Sequence, residues 1–314
     1  MVILKFMHRL FTIGISLFTL LLLGVILVLP SDSGSSLPAG NANDTSVVDS
    51  TSNPPVIPEY QPNLLDRQIS NQAFQLGEKL TFTVRYGVIK AGEATMEVEE
   101  IVLIGDRPAY KIVSAARSAK TFDLVFKVRD RVESWVDTQG IFSWKFNKIL
   151  REGAYKYDLL VDYHQAHGKA AVHTIRYHDE EPLQIKKQEK FEIDIPPYVL
   201  DILASFYYVR TQDLTVGMPV YLSNHDNKKV YDLKVIVQRK EIIKVKAGKF
   251  RCIIVQPQLM GEAIFKQKGE LWVWLSDDQY KIPVQMKSAV FVGSITTELN
   301  KIEGIPLPLP SQIR

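Results

Sequence analysis

Residues 197–210 read PYVLDILASFYYVR, and their spacing decides how the rest of the chain is read. Val199, Ile202, Leu203, Phe206 and Arg210 recur at helical intervals, which puts four apolar side chains and an arginine stem on one face. Pro197 suits a first helical turn, where its missing N–H has no intrahelical partner. Asp201 and Arg210 suit the positive and negative ends of the helix dipole. Nearly all of the sequence outward from this stretch alternates with a period of two. The expectation is therefore a mainly β fold: a curved antiparallel sheet, barrel-like or sandwich-like, closing over one central amphipathic helix at 197–210. If the sheet encloses the helix, Asp201 and Arg210 each need a buried partner.

The alternation starts near Gly77. Leu80, Phe82, Val84 and Tyr86 take one face, and Lys79, Thr81, Thr83 and Arg85 the other. A second strand spans 89–104, with Gly92 marking a bulge or bend. After a turn at Gly105-Asp106 a third strand begins at 108–114, and strands then follow at 129–137, 141–151, 155–163 and 169–177, separated by Gln139-Gly140, Glu152-Gly153 and His167-Gly168. Residues 121–128 fit either a short helix or a kinked strand. Residues 180–190, with Lys186, Lys187 and Lys190, read as a solvated polar connection. Beyond the helix, strands are expected at 218–224, 229–239, 241–246, 250–258, 269–275, 281–287 and 291–299. No run of alternating strand and helix occurs, which excludes a doubly wound α/β fold. The β-rich domain is expected to span 74–302, with a proline-rich tail at 303–314 that neither pairs in a sheet nor continues a helix.

The amino terminus has a different composition. Leu10 to Leu29 carry no charge, and twenty residues at about 1.5 Å each span a hydrocarbon core of about 30 Å. Lys5 and Arg9 precede the run, and Asp32 is the first charge after it. Residues 1–30 are therefore expected to be a signal-anchor or a signal peptide, with the body of the protein outside the cytoplasm. The anchored form, in the inner membrane through residues 10–29 with the domain in the periplasm, is the first expectation. A soluble periplasmic protein after cleavage is the alternative. Residues 31–73, rich in Ser, Asn, Asp and Pro, read as a disordered tether.

Of the 314 residues 46% are hydrophobic and 23% charged, ordinary values for a globular chain. The net charge of +3 is too small and too dispersed for nucleic acid. The single cysteine, Cys252, alternates with Phe250 and Ile254 and is expected to be a core residue.

Several stretches together resemble a known family. FQLGEKLTFTVRYGVIKAGEATMEV, the helix DILASFYYVR, GKFRCIIVQP, and GELWVWLSDDQYKIPVQMKS with VGSITTEL occur in that order. They are similar to the bacterial family catalogued as domain of unknown function 3108. The resemblance covers about residues 74 to 300. It implies an exported, β-rich protein of a Gram-negative type envelope and no established activity. Many exported relatives carry a lipid-attachment cysteine after the signal; this chain has none there.

Catalytic motifs are absent: no Gly-x-Ser-x-Gly elbow, no phosphate-cradling Gly-Lys-Ser/Thr loop, no His-Glu-x-x-His and no Cys-x-x-Cys. His164, His167, His173 and His178 lie close to Asp162, so a metal site can be drawn there, but a solvated hairpin accounts for the pattern and no metal or other cofactor is expected. Asp277 and Asp278 suggest paired carboxylates, although two acids after a strand are ordinary turn chemistry. Trp272 and Trp274 share one strand face, with Leu271 and Val273 on the other; they read as core or as an aromatic platform.

The leading expectation is a non-catalytic envelope protein that holds an apolar ligand, a lipid, acyl chain or hydrophobic peptide, between sheet and helix. Its ligand-binding candidates are Trp272, Trp274, Phe206, Tyr207 and Arg210. One alternative is an envelope hydrolase using Asp277, Asp278 or the 164–178 hairpin. Another is a structural module whose strand edges recruit an envelope protein.

Overall fold

The computed structural model describes residues 65–124, 126–260, 270–289 and 294–314. The expected membrane segment, the tether as far as residue 64, and the first residues of the strands expected at 269 and 291 lie outside them. Among the described residues no helix is long and apolar enough to cross a membrane.

The chain forms one antiparallel sheet, not two stacked ones. Its first half is β1 (Lys79–Tyr86), β2 (Ile89–Ile104), β3 (Arg107–Ser118), β4 (Arg129–Asp137), β5 (Ser143–Glu152), β6 (Tyr155–His164), β7 (Lys169–Tyr177) and β8 (Ile185–Asp194). The second half is β9 (Val220–Asp226), β10 (Lys229–Val245), β11 (Gly248–Leu259), β12 (Leu271–Ser276), β13 (Pro283–Ala289), β14 (Ser294–Glu303) and β15 (Gln312–Ile313). A short helix α1 (Lys120–Asp123) lies between β3 and β4, and the principal helix α2 (Ile202–Thr211) joins the two halves. The two meanders meet where β1 pairs with β14, which leaves β8 and β9 at the sheet's ends. Those ends are drawn together. Leu200 bridges Asn224 of β9 in parallel, with Leu200 N donating to Ser223 O at 3.1 Å and His225 N to Leu200 O at 2.8 Å. Lys228, in the β9–β10 turn, pairs with Glu189 of β8 at 2.7 Å. The sheet thereby curls into a barrel-like form around a continuous apolar core.

Gly92 marks a bulge, as its position in β2 suggests: the β1–β2 register slips between Val84 and Arg85. Gly92 also faces Ser118 across the ladder, and a Cβ there would stand 2.2 Å from the Arg117 carbonyl oxygen. The two strands expected at 229–239 and 241–246 are one, β10, because a register shift between Val237 and Arg239 absorbs Gln238 without ending the pairing. Residues 180–190 are not only a connection. Their second half forms β8, an edge strand whose largely exposed residues give no alternation to read. The ambiguous stretch 121–128 is partly helical, and ends in a bridge from Val128 to Glu152.

The helix begins later than expected. The chain turns at Pro197 and Tyr198, where Tyr198 has a φ of 60°, Asp201 is the N-cap, and Pro197 precedes the helix entirely. The fully buried face is Leu203, Ala204, Tyr207 and Arg210, while Ile202 and Phe206 are half-buried at its border. The packed region also extends past both expected boundaries. Leu65 and Ile69 pack on the core, and Ile69 N donates to Gln139 O. In the tail, Leu309 is buried and Gln312–Ile313 pair with Phe250 and Lys249 of β11. The prolines themselves cannot donate to a ladder, but the residues after them can.

Candidate functional site

Helix α2 is fastened at its start to β4 and β5, and at its end to the β12–β13 connection. Asp201 accepts from Leu203 N and Ala204 N at 2.9 Å each through Oδ1, and from the hydroxyls of Ser134 and Ser143 at 2.5 and 2.6 Å through Oδ2. Burial outweighs these four bonds, and its pKa is pushed up to about 6. At the other end Arg210 forms a two-pronged pair with Glu78, Nη1 to Oε1 and Nη2 to Oε2 at 2.7 Å each, and neither side chain has exposed surface. Its fork also donates to Ala73 O at 2.8 Å and Tyr280 O at 3.1 Å. Burial by itself lowers the arginine's pKa; the Glu78 carboxylate more than offsets that, and the pKa is raised.

Of the expected ligand-binding residues, the structure brings together Phe206, Tyr207 and Arg210. The Tyr207 ring lies 4.9 Å from the Arg210 guanidinium and edge-on to Phe74 at 4.8 Å. This cluster is filled by the protein's own Ala73–Glu78 segment, so a ligand reaching Tyr207 or Arg210 would have to displace it. Trp272 and Trp274 sit on β12 opposite Lys287 and Gln285. Among the described residues no ring stacking or cation contact joins either indole to Phe206, Tyr207 or Arg210.

The other candidates are scattered. Asp162 and His164 are exposed, and Asp162 lies 3.9 Å from Lys145. Among the described residues no group of three His, Cys, Asp or Glu side chains could hold a metal ion. Asp278 accepts from Ser276 Oγ, from the amides of Tyr280 and Lys281, and from Ser311 N, which is turn and tail fastening; Asp277 pairs with Lys240. Cys252 is buried, and burial pushes its thiol up to about 12.

A different grouping stands on the inward face of β4 to β8, away from the helix. In the half nearer α2 that face is apolar and closed: Phe146, Val161, Tyr163, Ala170 and Val172 are buried. Further along the same strands it becomes charged and aromatic, with Asp130, Lys148, Glu152, Tyr155, Tyr157 and Arg176. Tyr155, Tyr157 and Arg176 are only half-buried. Register explains the assembly, because Glu152 faces Tyr155, and Tyr157 lies between Leu150 and Arg176. The β9–β10 hairpin contacts this wall through two side-chain pairs. Lys148 binds Asp226 at 2.9 Å, and Tyr163 Oη lies 2.9 Å from His225 Nδ1. His225 Nε2 is 2.8 Å from Asn227 O, so it must donate there, and Nδ1 accepts the tyrosine proton. Burial lowers the histidine's pKa and keeps the ring neutral.

Asp130 and Glu152 are both buried, and burial pushes Asp130 up to about 6, opposed by a hydrogen bond with Glu152 and by the Arg151 amide. Two carboxyl groups this close hold one proton between them more readily than two charges. Burial also raises the phenols, Tyr155 to about 12 and Tyr157 further, so both remain protonated donors. Sequence reading missed this patch. Its one signal was a charge at inward positions of alternating strands, Asp130 before Val132 and Glu152 after Leu150.

Residues 81–300 match the family described as protein of unknown function, DUF3108. The chain belongs to the DUF3108 family. The matched span includes α2 and the whole charged and aromatic patch, whereas Glu78 lies just before it. No curated protein matches the chain. Among solved structures it is similar to a β-barrel-like protein of the DUF1849 family from Brucella abortus, at 9% identity and a TM-score of 0.47, covering 73% of this chain and 97% of the other. An exported protein with a YmcC-like fold from Bacteroides fragilis gives 9% identity and a TM-score of 0.31, covering 76% of this chain and 99% of that one. A lipoprotein from Parabacteroides distasonis gives 10% and 0.33, with 76% and 99% covered.

Proposed function

We propose that this DUF3108 protein is a non-catalytic envelope protein that binds an apolar chain, the tail of a lipid or other single-chain amphiphile, against the inward wall of β5 to β8. Leu10 to Leu29 anchor it in the inner membrane, and Lys5 and Arg9 keep the barrel on the far side. The observation that carries the reading is the change along one wall. Side chains that are fully buried near α2 give way to half-buried Tyr155, Tyr157 and Phe191, with charged groups among them. Aromatic surface with a few convergent polar groups is the usual lining of a small-molecule site. The helix–sheet interface named by the sequence is a weaker place, since Tyr207 and Arg210 are covered by the Ala73–Glu78 segment.

The test uses the full-length protein in phosphatidylcholine nanodiscs. A long-chain alcohol bearing a diazirine is added, irradiated, and the labelled peptides are mapped by mass spectrometry. Labelling at Tyr155, Tyr157 or Phe191 is expected. Labelling confined to residues 10–29, or none at all, overturns the reading.

A further inference from the structure

Arg176 stands on the inward face of β7, opposite Tyr157 on β6 and Lys187 on β8. Its guanidinium lies over the Tyr155 ring at 3.8 Å, and one nitrogen donates to Lys156 O at 3.0 Å. Among the described residues no carboxylate comes within ion-pair distance of it. Asp179, the acid that acts on it through space, is bound to Lys156 at 3.2 Å. The other acids around the patch are committed elsewhere. Asp226 is held by Lys148, Glu189 by Lys187 and Lys228, and Asp130 stands beside Glu152. Arg176 is thus a half-buried cation with most of its donor fork unused. Lys187, directly across the ladder, is itself paired with Glu189 and leaves Arg176 the unpaired cation of the two. Neither phenol oxygen of Tyr155 or Tyr157 makes a hydrogen bond among the described residues.

We propose that Arg176, with the Tyr155 and Tyr157 hydroxyls, binds the oxyanion head group, carboxylate or phosphate, of a single-chain amphiphile whose tail lies along the wall described above. The guanidinium fork matches the two oxygens of either group, and a lysine could not reproduce that geometry. The ring of Tyr155 fixes the plane of the fork in advance, so less ordering is needed on binding. This site rests on the proposed function for the tail, but the choice of head group is separately testable.

Full-length protein in phosphatidylcholine nanodiscs is labelled in parallel with diazirine-bearing fatty acid, alkyl phosphate and fatty alcohol of equal chain length. Wild type is expected to label with the acid and the phosphate at least fivefold more than with the alcohol. Arg176→Met and Arg176→Lys should remove that preference, bringing labelling by the acid and the phosphate down to the level of the alcohol. Tyr157→Phe should weaken it less. Equal labelling by all three probes, or a preference that survives Arg176→Met, overturns the head-group assignment and leaves the tail site standing. No labelling of the wall by any probe overturns both. Inorganic phosphate at millimolar concentration is included as a competitor. If it abolishes labelling by the acid and the alkyl phosphate alike, the site takes a free oxyanion and the amphiphile assignment is wrong; loss of less than half supports it.

Discussion

Arg210→Met keeps most of the side-chain volume and removes every polar bond of the guanidinium. Glu78 is then a carboxylate with no exposed surface and no cation, and Ala73 O loses its 2.8 Å donor. Breaking one partner of a buried pair costs about 3–5 kcal/mol, and a stranded buried carbonyl about 1–3 kcal/mol. The losses share one site and do not add in full, so the expected cost is about 4–6 kcal/mol, against a total stability of about 5–15 kcal/mol for a domain. Arg210→Lys should fall between this and wild type, because an ammonium cannot reach both Glu78 oxygens and two carbonyls together. Glu78→Leu alone should cost about 3–5 kcal/mol, for it strands the cation instead. The double variant Glu78→Leu, Arg210→Met leaves no buried charge. It should be less damaged than the sum of its parts by about 2–3 kcal/mol. Urea unfolding of residues 65–314, followed by tryptophan fluorescence, measures all four corners of the cycle. At about 1–3 kcal/mol per molar urea, Arg210→Met should move the midpoint down by more than about 1 M. A midpoint within about 0.3 M of wild type, or a coupling energy of zero, would refute the reasoning.

The Asp201 carboxyl rises from 3.8 to about 6 on folding, so the folded state holds its proton more tightly and the associated stability, about 3 kcal/mol at most, is present below pH 3.8 and lost as pH rises through 6. Comparison of wild type with Asp201→Asn by urea unfolding at pH 4 and pH 7 should therefore show wild type gaining relative stability at the lower pH; an identical difference at both pH values counts against it. Gly92→Ala pushes a Cβ into the Arg117 carbonyl oxygen of the neighbouring strand. It should destabilise the barrel by roughly 1–3 kcal/mol, the usual cost of overpacking, and an unchanged melting temperature would show that the β2–β3 ladder yields freely.

The sequence by itself determined the β class, the one principal helix among the described residues, most strand positions and the resemblance to the DUF3108 family. Period-two alternation reports a half-buried strand locally, without knowledge of its neighbours. Thus β1 and the bulge at Gly92 were legible, and so was the need of Asp201 and Arg210 for buried partners. Where both faces of a strand are wet or both are dry, the signal fails. That is why β8 read as a connection; β10 read as two pieces because the register shift after Val237 breaks the phase of its alternation. The helix start was misplaced because Pro197 is compatible with a first turn, whereas the chain turns there and Asp201 caps the helix through Oδ1 while Ser134 and Ser143, from other strands, hold Oδ2. Only the tertiary structure supplied Glu78 as the partner of Arg210, 132 residues away. It alone set Arg176, Tyr155 and Tyr157 side by side, because cross-strand register and barrel curvature place them, and neither is written in local periodicity.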